Sequence, residues 1–156
     1  AKLKKNKPEY ISIKNKELGT YSDDEKVVKV IAGKYKDIEG PEKNHNVEPI
    51  YFHIVLKNGK EFTSEVPEGH NSFIYLLKGQ VKVGETDHEK TNDSNLILLK
   101  KGKSLQVKAE KESEFLFIAG KPIGEPIARG GPFVMNTKAE IIEAINDYQK
   151  GTFAKY

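Results

Sequence analysis

The chain has 156 residues, 37% hydrophobic and 31% charged, with a net charge of +3. That length suits one domain with a real core, and no apolar run approaches the ~20 residues that span a bilayer as a helix. Cysteine is absent, which excludes disulfides, thiolate metal sites and a cysteine nucleophile. Arg129 is the sole arginine, so the lysine-rich surface lacks the planar donors that dominate nucleic-acid recognition.

The first nine residues, AKLKKNKPE, are lysine-rich with almost no apolar content and read as a solvated linker over 1–9, with the folded domain over 10–156. They lack the basic-then-apolar pattern of a secretory leader, so a cytoplasmic location is expected. Tyr10–Ile13 and the stretch from Lys26 to Tyr35 read as β-strands, separated by turn chemistry at Tyr21-Ser22-Asp23-Asp24. Ile50 to Leu56 alternates cleanly, with Ile50, Phe52, Ile54 and Leu56 on one face and Tyr51, His53 and Val55 on the other. Asn58-Gly59 follows at once, which predicts a hairpin with Lys60–Val66 returning antiparallel.

Pro67-Glu68-Gly69 turns the chain into another β run, Phe73 to Val83, in which Gly79 marks a bend or bulge. Glu85–Asn95 is polar and reads as a surface loop. Leu96–Leu99, Leu105–Val107 and Glu114–Ala119 complete a series of short strands, a pattern of sandwiches and small barrels rather than parallel sheets. The Gly130-Gly131-Pro132 sequence precedes Phe133 and no helix, so it reads as a tight turn rather than a phosphate loop.

Thr137 and Glu140 have the spacing of a capping box, with each side chain meeting a backbone N–H at a helix start. Ile141, Ile142, Ile145 and Tyr148 follow at helical spacing, Gly151 is a stop, and Phe153 can fold back onto the stripe. A helix over 137–150 is therefore expected, docked on the barrel through that stripe.

Two stretches carry a resemblance. EPIARGGPFVMNTKAEIIEAINDYQKGTF, residues 125–153, resembles the C-terminal segment of pirins, and KVIAGKYKDIEGP, residues 29–41, resembles the start of their second domain. VPEGHNSFIYLLKGQVKVG, residues 66–84, extends the similarity over most of the chain. Pirins belong to the cupin superfamily and pair two double-stranded β-helix barrels. The resemblance implies an all-β cupin-type jelly roll with one C-terminal helix, equivalent to the second barrel. It places the metal, iron or another divalent ion, and the quercetin dioxygenase-type activity in the N-terminal barrel that precedes this one. It also implies that barrel as partner, with roles in transcription for some members.

A cupin metal site draws on two histidines in His-x-His spacing, a glutamate, and a further histidine in a second motif. With Gly79 as the first motif's glycine, Ser72 occupies the glutamate position, and Val66, Pro67 and Glu68 occupy the neighbourhood of the histidines. In the second motif Leu105 stands where the ligand histidine belongs. The expectation is therefore a non-catalytic domain with no cofactor of its own, with His70, His53 and Glu68 the weak candidates for a metal.

His45 and His88 lie in polar stretches and read as loop residues, His53 as a hydrogen-bonded strand histidine, and His70 as a cap on the Pro-Glu-Gly turn. The competing expectation is a stand-alone cupin dioxygenase using His53, His70 and Glu68 or Glu65. A third, polyanion binding through the lysines, requires a steep salt dependence. A barrel presenting an uncovered apolar face is also expected to dimerise.

Overall fold

The computed structural model describes residues 3–4, 6–7, 10–43, 46–84 and 94–153. His45, His88 and most of the loop over 85–95 lie outside them. The chain divides into two compact units, Ile13–Ile123 and a smaller one made of Ala1–Ser12 with Gly124–Tyr156.

In the larger unit the strands are β1 (Gly19–Ser22), β2 (Lys26–Ala32), β3 (Lys34–Tyr35), β4 (Ile38–Glu39), β5 (Ile50–Leu56), β6 (Glu61–Glu65), β7 (Asn71–Lys78), β8 (Val81–Val83), β9 (Leu96–Leu98), β10 (Ser104–Ala109) and β11 (Ser113–Gly120). A six-stranded sheet runs β1-β2-β5-β11-β7-β9 and a three-stranded sheet runs β6-β10-β8, while β3 and β4 form a small separate ribbon. The inward faces of the two larger sheets meet in one core. Phe52, Phe62, Phe115 and Phe117 are fully buried there, and Phe62 stacks on Tyr35 at 5.4 Å while meeting Phe115 edge-on at 5.8 Å. Quadrupole-favoured ring pairs of this kind add to the area they bury.

Most of this order was expected, and the departures have physical causes. The Lys26–Tyr35 run is interrupted by Gly33, whose φ of 80° ends β2. Tyr10–Ile13 forms no strand, and Tyr10 is 91% exposed. Residues Gly19–Ser22 instead supply β1, antiparallel to β2. The turn between them is closed by the Asp23 carboxylate, which accepts from the amides of Glu25 and Lys26 at 2.8 Å.

The Asn58-Gly59 turn is present, with Gly59 at φ 74°, but β5 and β6 do not pair. Both edges of β5 are already taken by β2 and β11, so the chain crosses to the other sheet and β6 pairs with β10. Gly79 acts similarly between β7 and β8. Its φ is 97°, and a Cβ there would stand 2.4 Å from the Glu112 carbonyl and the Ser113 hydroxyl. Only glycine fits so close an approach.

The smaller unit holds a hairpin, β12 (Ala128–Gly130) and β13 (Phe133–Met135), and the helix α1 (Lys138–Gln149). Gly130 and Gly131 make the tight turn expected of them, and a Cβ on Gly130 would strike Ile141 Cγ2. The capping box forms. Thr137 Oγ1 accepts from the Glu140 amide at 3.2 Å, and Glu140 Oε2 accepts from the Thr137 amide at 2.8 Å.

The helix's apolar residues find their partners on β12 and β13, within the unit's own cluster, where the sequence had suggested the barrel strands. Ile141 and Ala144 are buried, whereas Ile142 and Tyr148, read as part of the stripe, are 61% and 68% exposed. Phe153 folds back as expected and meets Phe133 at 5.0 Å.

Candidate functional site at the open end of the barrel

The end of β6 and the start of β10 are tied by the Val66 amide, which donates to the Lys103 carbonyl at 3.0 Å. Three cavities border this junction, and two of them concern the site. The larger, about 1030 Å³, is lined by charged side chains that include Glu39, Glu48, Glu65, Glu68, Lys43 and Lys103. Its charges largely meet one another: Lys43 with Glu39 at 2.8 Å, Lys121 with Glu48 at 3.2 Å and Lys103 with Glu68 at 3.9 Å. The Lys43 hydrogen bond holds the Glu39 carboxyl below its ordinary range. The partners are exposed, so each pair contributes little.

The smaller cavity, about 420 Å³, opens between β7 and β9 on one side and β8 and β10 on the other. Strand alternation turns Ser72, Ile97 and Leu105 inward, and Val66, Val83 and Leu99 complete its walls. Ser72 and Leu105 are the two residues that the family spacing puts at metal-ligand positions. The structure brings them to one cavity, where the Ser72 hydroxyl stands among aliphatic side chains; Lys100, Ser104 and Gln106 also line it, and its described lining residues include no carboxylate and no imidazole. A divalent metal needs charged or strongly donating ligands held by hydrogen-bonded neighbours. These residues do not fit it.

The histidine candidates are not brought together. His70 is 4% exposed, and its Nε2 lies 3.1 Å from the Glu48 carbonyl, the geometry of an Nε2–H donor. Its Nδ1 is buried with no hydrogen-bond partner. The Pro67–His70 turn is closed by the His70 backbone amide, 3.2 Å from the Pro67 carbonyl, so the ring bridges to another segment rather than capping its own turn.

His53 lies on the outer face of β5, where its Nε2 pairs with Glu114 Oε1 across β11 at 2.6 Å. Glu68 is exposed beside Lys103. Among the described residues no group of three or more His, Asp or Glu side chains is placed to hold a metal ion.

The outer face of the six-stranded sheet is the other notable surface. Register aligns Leu98, Phe73, Ile118 and Tyr51 in one row across four strands, and Leu96, Tyr75, Leu116 and His53 in the next. Leu98 is 76% exposed and Leu96 56%. Apolar residues so arranged are unusual on a solvated sheet, where the outward positions are ordinarily polar.

The family model for the pirin C-terminal cupin domain matches residues 51–154. The chain belongs to that family. Human pirin is 37% identical over 146 residues, covering 91% of this chain and 50% of its own length. A pirin-like protein of Caulobacter vibrioides is 32% identical over 155 residues, 98% of this chain and 55% of its own. Among solved structures, a quercetin 2,3-dioxygenase from Acinetobacter baumannii superposes with a TM-score of 0.81 at 36% identity, covering 93% of this chain and 50% of that one.

The fold is thus the cupin barrel of a pirin C-terminal domain, as the sequence implied, and the chain is related to quercetin 2,3-dioxygenase-like proteins. It spans about half the length of the curated relatives it matches. No helix among the described residues is long and apolar enough to cross a membrane.

The pairing of Ser72 with Leu105 followed from a fixed motif spacing. The charged cavity did not follow from any such spacing. It gathers Glu48, Glu65 and Lys103 from three separate segments with no local pattern to announce it.

Proposed function

We infer that this domain is the non-catalytic, metal-free companion of a second cupin barrel, cytoplasmic like its partner, and that the outer face of its six-stranded sheet receives that barrel. The observation that carries this reading is the apolar sheet face centred on Phe73, Tyr75, Leu96, Leu98 and Leu116, a surface suited to burial against another protein. The half-length match to relatives supports a second barrel as occupant. The aliphatic cavity at Ser72 and Leu105 supports the reading that the metal and any dioxygenase chemistry lie in that other barrel.

In the absence of the companion, the same face pairs with a second copy of the chain. Sedimentation velocity tests this on the chain as it exists. A concentration-dependent dimer is expected, and the Tyr75→Lys, Leu98→Lys double variant is expected to sediment as a monomer with unchanged far-UV circular dichroism. A strict monomer at high concentration, or a dimer indifferent to the two lysines, would count against this face.

A further inference from the structure

We propose that the aliphatic cavity at the barrel end binds a small monocarboxylate, its apolar tail between Ile97 and Leu105 and its carboxylate at Ser72 and Lys100. The cavity volume of about 420 Å³ lies within the roughly 300–1,000 Å³ of small-molecule sites, which pair apolar walls with a few placed polar groups. Five of its inward residues, Val66, Val83, Ile97, Leu99 and Leu105, are aliphatic and belong to or pack on the main core. Side chains held in this way make a preformed wall, so a tail entering it gains burial without ordering the protein.

Two of the polar lining residues, Ser72 and Lys100, come from segments that the backbone ties together. The Leu99 amide donates to the Ser72 carbonyl at 3.1 Å, which fixes Ser72 beside the segment that carries Lys100. The Ser72 hydroxyl makes no hydrogen bond to any described residue, and it faces the cavity. Lys100 lines the same cavity and has no acidic partner among the described residues. Among the described residues no carboxylate lines it. Ser104 and Gln106 also line the cavity, but Lys100 is the one charged group among its described lining residues; with the Ser72 hydroxyl beside it, it selects an anionic head group, and a charge-assisted hydrogen bond is the stronger kind. A cationic head would meet Lys100 with no carboxylate among the described lining residues to offset it.

The experiment is a titration of the isotope-labelled chain with octanoate, followed by two-dimensional amide spectra, with octylammonium as the probe of equal tail and opposite charge. Saturable shifts at Ile97, Leu99 and Leu105 are expected with octanoate and not with octylammonium. Lys100→Glu, a change at an exposed residue, should weaken octanoate about tenfold, equivalent to the loss of one charge-assisted contact. Leu105→Trp should fill the slot and abolish binding, and if that variant does not fold, Lys100→Glu decides.

Equal response to both probes, unchanged affinity in Lys100→Glu, shifts confined to Tyr75 and Leu116 on the outer sheet face, or no saturable response at millimolar octanoate would each overturn the proposal. A monomeric chain that still binds octanoate would sink the companion-face reading and leave this one intact.

Discussion

Asp23 shows how much one side chain can organise. Its carboxylate accepts from the Tyr21 hydroxyl at 2.8 Å and from the amides of Glu25 and Lys26, and it closes the β1–β2 turn. The Tyr21 hydrogen bond leads the causes that lower its pKa from the ordinary 3.8 to about 2. Because the folded value is the lower one, its stabilisation is fully present above about pH 4 and is lost as pH falls toward 2. Asp23→Ala should therefore be less stable than the parent at neutral pH, with the gap closing on acidification. Urea unfolding at several pH values checks this, and a gap that widens with acid would contradict it.

Turn chemistry at Asp23 was readable from its neighbours, but the role of His70 was not. Its ring reaches the Glu48 carbonyl, a partner 22 residues away that no local pattern predicts. Ser72 and Leu105 were readable because they fill slots of a known spacing, whereas the orientation of both into one aliphatic cavity depends on strands from two sheets.

Among the elements, β5 and β10 were plain because one alternating set of residues is buried throughout, Ile50 to Leu56 in one and Leu105 to Ala109 in the other. The α1 helix was plain because Thr137 and Glu140 satisfy backbone donors that a helix start leaves open. Thr137→Ala should destabilise the smaller unit by about 1 kcal/mol, seen as faster amide exchange in α1 while β5 and β11 keep their protection. Uniform loss of protection would show instead that the two units unfold as one.

Pairing was harder to read than existence. The Asn-Gly turn after β5 promised a hairpin, yet both β5 edges are occupied and the strand after the turn joins the other sheet. Long-range edge occupancy outranks a local turn signal, and a single sequence does not contain it. The helix stripe was legible in part: Ile141 and Ile145 pack in the unit's cluster and Tyr148 meets Phe133 edge-on, whereas Ile142 is left exposed by the narrow hairpin beneath α1.

At the scale of the whole molecule, a barrel with a shared aromatic core presents two surfaces with different chemistry. The end of the barrel holds an aliphatic cavity where the superfamily's spacing would place metal ligands, and the broad sheet presents an apolar face suited to another barrel. An apolar face was expected, but its location was not legible, because it depends on which strands pair and in what register, as Leu96 and Leu98 of β9 fall beside Tyr75 and Phe73 of β7. On the proposed function, the metal and the chemistry belong to a companion barrel. This is tested most directly by elemental analysis of the purified chain after incubation with ferrous iron, nickel and zinc and thorough desalting. Retention of well under about a tenth of an equivalent of each is predicted, since the described lining residues of the cavity offer a metal no carboxylate and no imidazole; close to one equivalent of any of them, lost in His70→Ala, would mean that this barrel is a metal centre in its own right.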